Sequence, residues 1–113
     1  MEDAPKCRIL VAFYSRTGVT EQLALAVAEG AEIAGAEVRL RRAREIVPQE
    51  TMALVPGWAD AAARMSECYP PPSTDVTEWA DGIIFGTPTR FGNIAAELKA
   101  FVDSLGGLWA QGR

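Results

Sequence analysis

The sequence predicts a single α/β domain built on a parallel sheet, and three observations carry that prediction. Two continuous apolar runs, Ile9-Leu10-Val11-Ala12-Phe13 and Gly82-Ile83-Ile84-Phe85-Gly86, read as strands covered on both faces. Each run is followed by a polar loop and then by apolar residues at helical spacing. Between them, Glu37-Val38-Arg39-Leu40-Arg41 alternates with period two, as a half-covered strand does.

In chain order, the first strand ends at Tyr14-Ser15 and opens into the turn Ser15-Arg16-Thr17-Gly18-Val19-Thr20. Leu23, Val27 and Ala31 then mark the apolar face of a helix running to about Ala34, with Gly35 as its stop. Glu21 falls in the first turn of that helix, where a negative charge suits the dipole. The outward arginines of the alternating strand place it at a sheet edge. From Ile46 to Glu67 the pattern is weak, with a helix over Ala59 to Met65. Tyr69 precedes the breaker Pro70-Pro71-Pro72, and Val76 to Ala80 forms one short turn. After the second apolar run comes Thr87-Pro88-Thr89-Arg90-Phe91-Gly92-Asn93. The last helix spans about Ile94 to Leu105, with Asn93 as N-cap and Gly106-Gly107 as terminator. Its apolar face is Leu98, Phe101, Val102 and Leu105.

Right-handed crossovers and an arginine-bearing edge make the strand order 2-1-3. The switch point then lies between the first and third strands, where open α/β sheets bind ligands at the carboxyl ends. Both unusual loops emerge there. An interior third strand needs a neighbour, because a bare apolar edge invites aggregation. Two further strands are therefore expected beyond Arg113, making this the truncated front of a doubly wound 2-1-3-4-5 sheet.

With 113 residues, the chain is long enough for one small domain, residues 1–113. Its net charge of −4 argues against nucleic acid as the main partner. Arg39, Arg41, Arg42 and Arg44 are expected to be a solvated edge rather than a phosphate-binding patch. Met1-Glu2-Asp3-Ala4-Pro5 lacks the basic start and apolar run of a secretion signal. No stretch approaches the ~20 apolar residues of a membrane span, so no stable membrane insertion is expected. Cys7 and Cys68 form no CxxC pair; Cys7 reads as buried packing and Cys68 as an incidental loop thiol, in a reducing cytoplasm. The absence of histidine removes the usual players of zinc sites and Ser-His-Asp triads. No metal site and no catalytic side chain are expected. Any chemistry is borrowed from a cofactor.

The first loop leads into a helix N-terminus, where free amides and the dipole favour an anion. Ser15, Thr17 and Thr20 add hydroxyl donors, and Gly18 allows close backbone approach. The run is neither GxxxxGK[ST] nor GxGxxG, so a lone monophosphate fits better than a triphosphate or a dinucleotide pyrophosphate. In the second loop Pro88 stiffens the backbone, Phe91 offers a ring, and Thr89 and Arg90 offer donors. A planar, hydrogen-bonding cofactor suits it.

Tyr14-Ser15-x-x-Gly18, Gly86-Thr87-Pro88-Thr89-Arg90-Phe91-Gly92-Asn93 and Leu105-Gly106-Gly107-Leu108-Trp109 together resemble the WrbA-type NAD(P)H:quinone oxidoreductases of flavodoxin-like fold. The resemblance spans essentially the whole chain, but only the first part of a family member. It implies that Ser15, Arg16, Thr17, Gly18, Val19 and Thr20 bind the phosphate of FMN. It also implies that Pro88, Thr89, Arg90, Phe91, Gly92 and Asn93 border the flavin, with Thr89, Arg90 and Phe91 on the isoalloxazine. Trp109, with Thr17, would border the nicotinamide or quinone. The implied reaction is hydride transfer from NAD(P)H to flavin N5, followed by two-electron reduction of a quinone to the quinol. A homotetramer is implied for the full-length protein. The chain departs from the pattern at Thr17 and Val19, where many members carry an aromatic residue and, two residues later, a histidine.

Two other classes stay in view. A flavodoxin-type electron carrier uses a similar loop on the same fold, but the second loop and the Gly-Gly-Leu-Trp run resemble the reductases. A truncated fragment unable to hold FMN is the other. A receiver domain would need an acidic pair after the first strand, and a low-molecular-weight phosphatase a CxxxxxR loop; neither is present.

Overall fold

The computed structural model describes residues 6–112. The expectation drawn from Met1–Pro5 lies outside the described residues. The elements run β1 (Arg8–Phe13), α1 (Val19–Ile33), β2 (Glu37–Arg42), α2 (Gln49–Met52), α3 (Trp58–Cys68), α4 (Thr74–Trp79), β3 (Gly82–Gly86), α5 (Ala96–Asp103) and α6 (Gly106–Ala110). The sheet is wholly parallel, in the order β2-β1-β3. This is the α/β sheet in the order 2-1-3 read from the apolar runs and the charged edge, and it fits the flavodoxin-like fold that the resemblance implies. Register aligns Val11 with Leu40 and Ile84, so the carboxyl ends of β1 and β3 finish side by side at Phe13 and Gly86.

Alternation along β1 divides the core into two layers. Leu10, Ala12 and Tyr14 pack with Val76 of α4 and with Leu98 and Phe101 of α5. Val11 and Phe13 face Ala24 of α1, and Tyr69 meets the Phe13 ring edge-on at 5.1 Å between centroids. A satellite cluster joins Met52, Trp58 and Ala62.

Several expectations are corrected. α1 docks not through Leu23 and Val27, which are 64% and 39% exposed, but through Thr20, Glu21, Ala24 and Ala28. Ala24 and Ala28 lie one position on from Leu23 and Val27, and their small side chains let the helix backbone come close to the sheet. Asn93 does not cap α5: the cap position is Ala95, whose amide donates to Thr87 Oγ1 at 2.9 Å. Gly106 and Gly107 open α6 rather than ending the last helix. Cys7 is exposed, because it precedes the point where β1 enters the core, and Cys68 is the exposed last residue of α3. Arg42 is no solvated edge residue but is 3% exposed, and Arg39 lies 4.0 Å over the Trp79 ring. Among the described residues nothing pairs with the outer edge of β3, and Ile84 and Phe85 are substantially exposed there.

Candidate functional site

The buried track of β1 continues past its last strand residue into Tyr14 and Ser15. The Tyr14 amide donates to the Gly86 carbonyl at 3.0 Å, tying the ends of β1 and β3 together. A Cβ on Gly86 would stand 3.3 Å from Phe13 Cβ and 3.4 Å from Thr20 Cγ2. The absence of a side chain at Gly86 thus lets the two loops begin from near-contact.

In the first loop, Gly18 adopts φ 122°, a conformation that favours glycine, and forms the N-cap of α1. Its amide donates to Ser15 Oγ at 3.1 Å, while the amides of the first helical turn have no carbonyl to meet within the helix. Thr17 and Val19 are exposed, Thr20 is buried, and the Arg16 guanidinium stacks 4.1 Å over the Trp58 ring. From behind, Arg42 donates to the Ser15 carbonyl and to Glu45 Oε2, both at 2.8 Å. Glu45 also accepts from the Tyr14 hydroxyl. Burial, then the bond to Glu45, holds the Tyr14 pKa far above the ordinary phenol value. A buried arginine with carboxylate and carbonyl partners fixes the backbone of Ser15.

Glu21 forms a second clasp. It is 3% exposed, and its carboxylate accepts from Arg64 at 3.0 and 2.7 Å and from the Tyr69 hydroxyl at 2.6 Å. The Arg64 guanidinium, against the cost of burial, holds the Glu21 pKa below the usual carboxylate range. Burial and the bond to Glu21 push Tyr69 up to about 12. Both partners of the ion pair face Gly18: a Cβ there would lie 3.4 Å from Glu21 Oε1 and 3.8 Å from an Arg64 nitrogen.

In the second loop, Thr87 Oγ1 donates to the Pro88 carbonyl at 2.8 Å while accepting from Ala95. Arg90 and Asn93 exchange two backbone hydrogen bonds, at 2.9 and 3.0 Å. The two residues between them, Phe91 and Gly92, have φ of 53° and 78°. That is the pattern of a type I′ turn, which prefers Asn-Gly. A phenylalanine in the left-handed region is strained, and here its ring stands wholly in solvent. Pro88 is half-buried, Thr89 exposed, and Arg90 bonds the Thr89 carbonyl at 2.9 Å.

A cavity of about 360 Å³ lies between the loops, with Arg16 on one side, Arg90 and Asn93 on the other, and Glu97 and Lys99 of α5 beside them. Arg16 and Arg90, with Lys99 paired to Asp103, outweigh Glu97 and suit an anionic ligand. Trp109 is not brought to this cavity. It lines a larger cleft of about 960 Å³ beside Asp81, Gly82 and Ile83, at the opposite end of β3, with Leu105 and Leu108. Among the described residues, no three His, Cys, Asp or Glu side chains are grouped to hold a metal, and no helix is long and apolar enough to cross a membrane. Arg42, Glu45, Arg64 and Tyr69 escape sequence reasoning, because no local pattern joins residues so far apart in the chain.

Comparison with known proteins adds the chemistry. The family described as NADPH-dependent FMN reductase matches residues 5–112. A protein of Deinococcus radiodurans named NAD(P)H dehydrogenase (quinone) is 39% identical over 106 residues, which cover 94% of this chain and 52% of the relative. Relatives of the same name from Acidithiobacillus ferrooxidans and Geotalea uraniireducens are 46% and 43% identical over 107 and 108 residues. The chain spans about half the length of these curated relatives.

Proposed function

The chain belongs to the NADPH-dependent FMN reductase family, and on that premise we propose that it is the FMN-holding part of a WrbA-type NAD(P)H:quinone oxidoreductase. The names of the relatives support the quinone as substrate class. The same reading, resting on the resemblance alone, takes the full-length protein as a cytoplasmic homotetramer. When bound, FMN supplies hydride acceptance from NAD(P)H and two-electron delivery to a quinone.

The residues present fit that group. Ser15, Arg16, Thr17, Gly18, Val19 and Thr20 form a hydroxyl-rich turn on a helix N-terminus, a suitable seat for a monophosphate. Pro88, Thr89, Arg90, Phe91, Gly92 and Asn93 form a stiff loop with an aromatic face, suited to a planar ring. The cavity between them is within the size range of small-molecule sites. Arg90 would hold negative charge that develops on the ring, while the clamp of Arg42 on Ser15 keeps the phosphate seat in place. Thr17, exposed beside the loop, stays the candidate for a nicotinamide contact. Trp109, in its separate cleft, is a candidate for the substrate only through a neighbouring subunit.

The observation that carries this reading is Phe91, held at positive φ with its ring wholly exposed. Strain of this kind costs about 1–3 kcal/mol and persists where the surroundings impose it, as at ligand clamps. FMN titrated with the 113-residue chain should lose its fluorescence on binding. Phe91→Gly should keep the fold, because glycine suits the turn, yet weaken FMN binding by about tenfold through the lost ring contact. FMN emission that stays unquenched at high protein concentration would overturn the reading in favour of a fragment unable to hold the cofactor.

A further inference from the structure

Glu21 poses a problem for any phosphate at this loop. The positive end of a helix dipole amounts to about half an elementary charge, and a carboxylate carries a full charge of the opposite sign. Glu21 Oε1 would lie 3.4 Å from a Cβ on Gly18, and its side chain is buried while that of Arg64 is half exposed, so water screens the carboxylate mainly from the Arg64 side. Left alone, it would reverse the sign of the seat. Arg64, reaching in from α3, cancels that charge with two hydrogen bonds, and Tyr69 occupies the carboxylate further without adding charge.

We propose that the Glu21–Arg64 pair sets the charge of the phosphate seat, making Arg64 the residue that determines preference for the phosphorylated over the unphosphorylated flavin. The inference rests on the FMN reading above. Arg64 acts through Glu21, as a positioning and charge-compensating residue rather than a catalytic one. Its guanidinium keeps the buried carboxylate neutralised while the loop amides and hydroxyls receive the anion.

The test compares FMN with riboflavin, which has the same ring and no phosphate, by fluorescence titration of the wild type, Arg64→Gln, Glu21→Gln and the double variant. The affinity ratio of FMN to riboflavin is read within each protein, so a change in folded fraction cancels. Arg64→Gln should lower the ratio by about tenfold, since a bare charge then faces the phosphate at short range. Glu21→Gln should raise it by about as much, and the double variant should return it to the wild-type value. A merely structural clasp would weaken both flavins alike and leave the ratio fixed. A constant ratio across the folded variants therefore overturns this inference while leaving the FMN reading standing. If the wild type binds neither flavin, both fall together. Should Arg64→Gln fail to fold, the wild type and Glu21→Gln decide alone: a raised ratio supports the proposal and an unchanged one overturns it.

Discussion

Tyr14 and Tyr69 are the chain's two tyrosines, and each hydroxyl ends on a carboxylate rather than in water. Both pKa values are raised, by burial first and by the hydrogen-bonded carboxylate next. A group whose folded pKa is raised contributes stability that is complete below its unfolded pKa and is lost as pH rises through the folded value. The native chain should therefore show no tyrosinate absorbance near the ordinary phenol pKa of about 10, whereas the unfolded chain should ionise both there. Stability should decline from that pH upward, through about 12 for Tyr69. A native spectrophotometric titration with a full tyrosine ionising near the ordinary value would contradict this. At this scale the sequence offers identities without partners. Glu21 reads as a helix-dipole charge, although it is one corner of a clasp whose other corners lie 43 and 48 residues away. Phe91 reads as a ring on a loop, but its backbone strain depends on how Arg90 and Asn93 pair.

The elements were legible where a single face sees a single environment. β1 is buried over most of its length and shows it as an unbroken apolar run; β3 carries the same kind of run, although Ile84 and Phe85 are exposed. α1 misleads because its interface is made by two alanines, a threonine and the ion-paired Glu21, while its large apolar side chains mark an exposed stripe. The start of α5 misleads for a different reason. Its orphan amide is satisfied by Thr87, eight residues back, rather than by a neighbouring side chain. Thr87→Val keeps the shape of that side chain and removes the acceptor, stranding the buried amide of Ala95. The loss should be about 1–2 kcal/mol, seen as a lower urea midpoint with an unchanged slope. An unchanged midpoint would mean that another group takes over the amide.

At the scale of the whole molecule, the strand order came through because an apolar first strand and one charged edge strand leave few arrangements, although β3, expected inside the sheet, is its other edge among the described residues. The unpaired side of β3 is the feature with physical consequences in solution. Ile84 and Phe85 are exposed on an edge that no strand among the described residues pairs with, and the net charge of −4 offers only modest repulsion between copies. The 113-residue chain should self-associate with rising concentration, and Ile84→Lys should raise the concentration at which light scattering reports it. Equal scattering from the two proteins would show that this edge is not the contact.

The close approach at Gly86 has a further consequence. Because a Cβ on Gly86 would stand 3.3 Å from Phe13 Cβ and 3.4 Å from Thr20, and would push them apart by a few tenths of an ångström, the gap between the two loops is set close to the backbone. It behaves as a caliper locked at its hinge. Side-chain changes along the loops can alter what is gripped, while the length of molecule that fits between them is decided a few ångströms away, by the missing methyl group of one glycine.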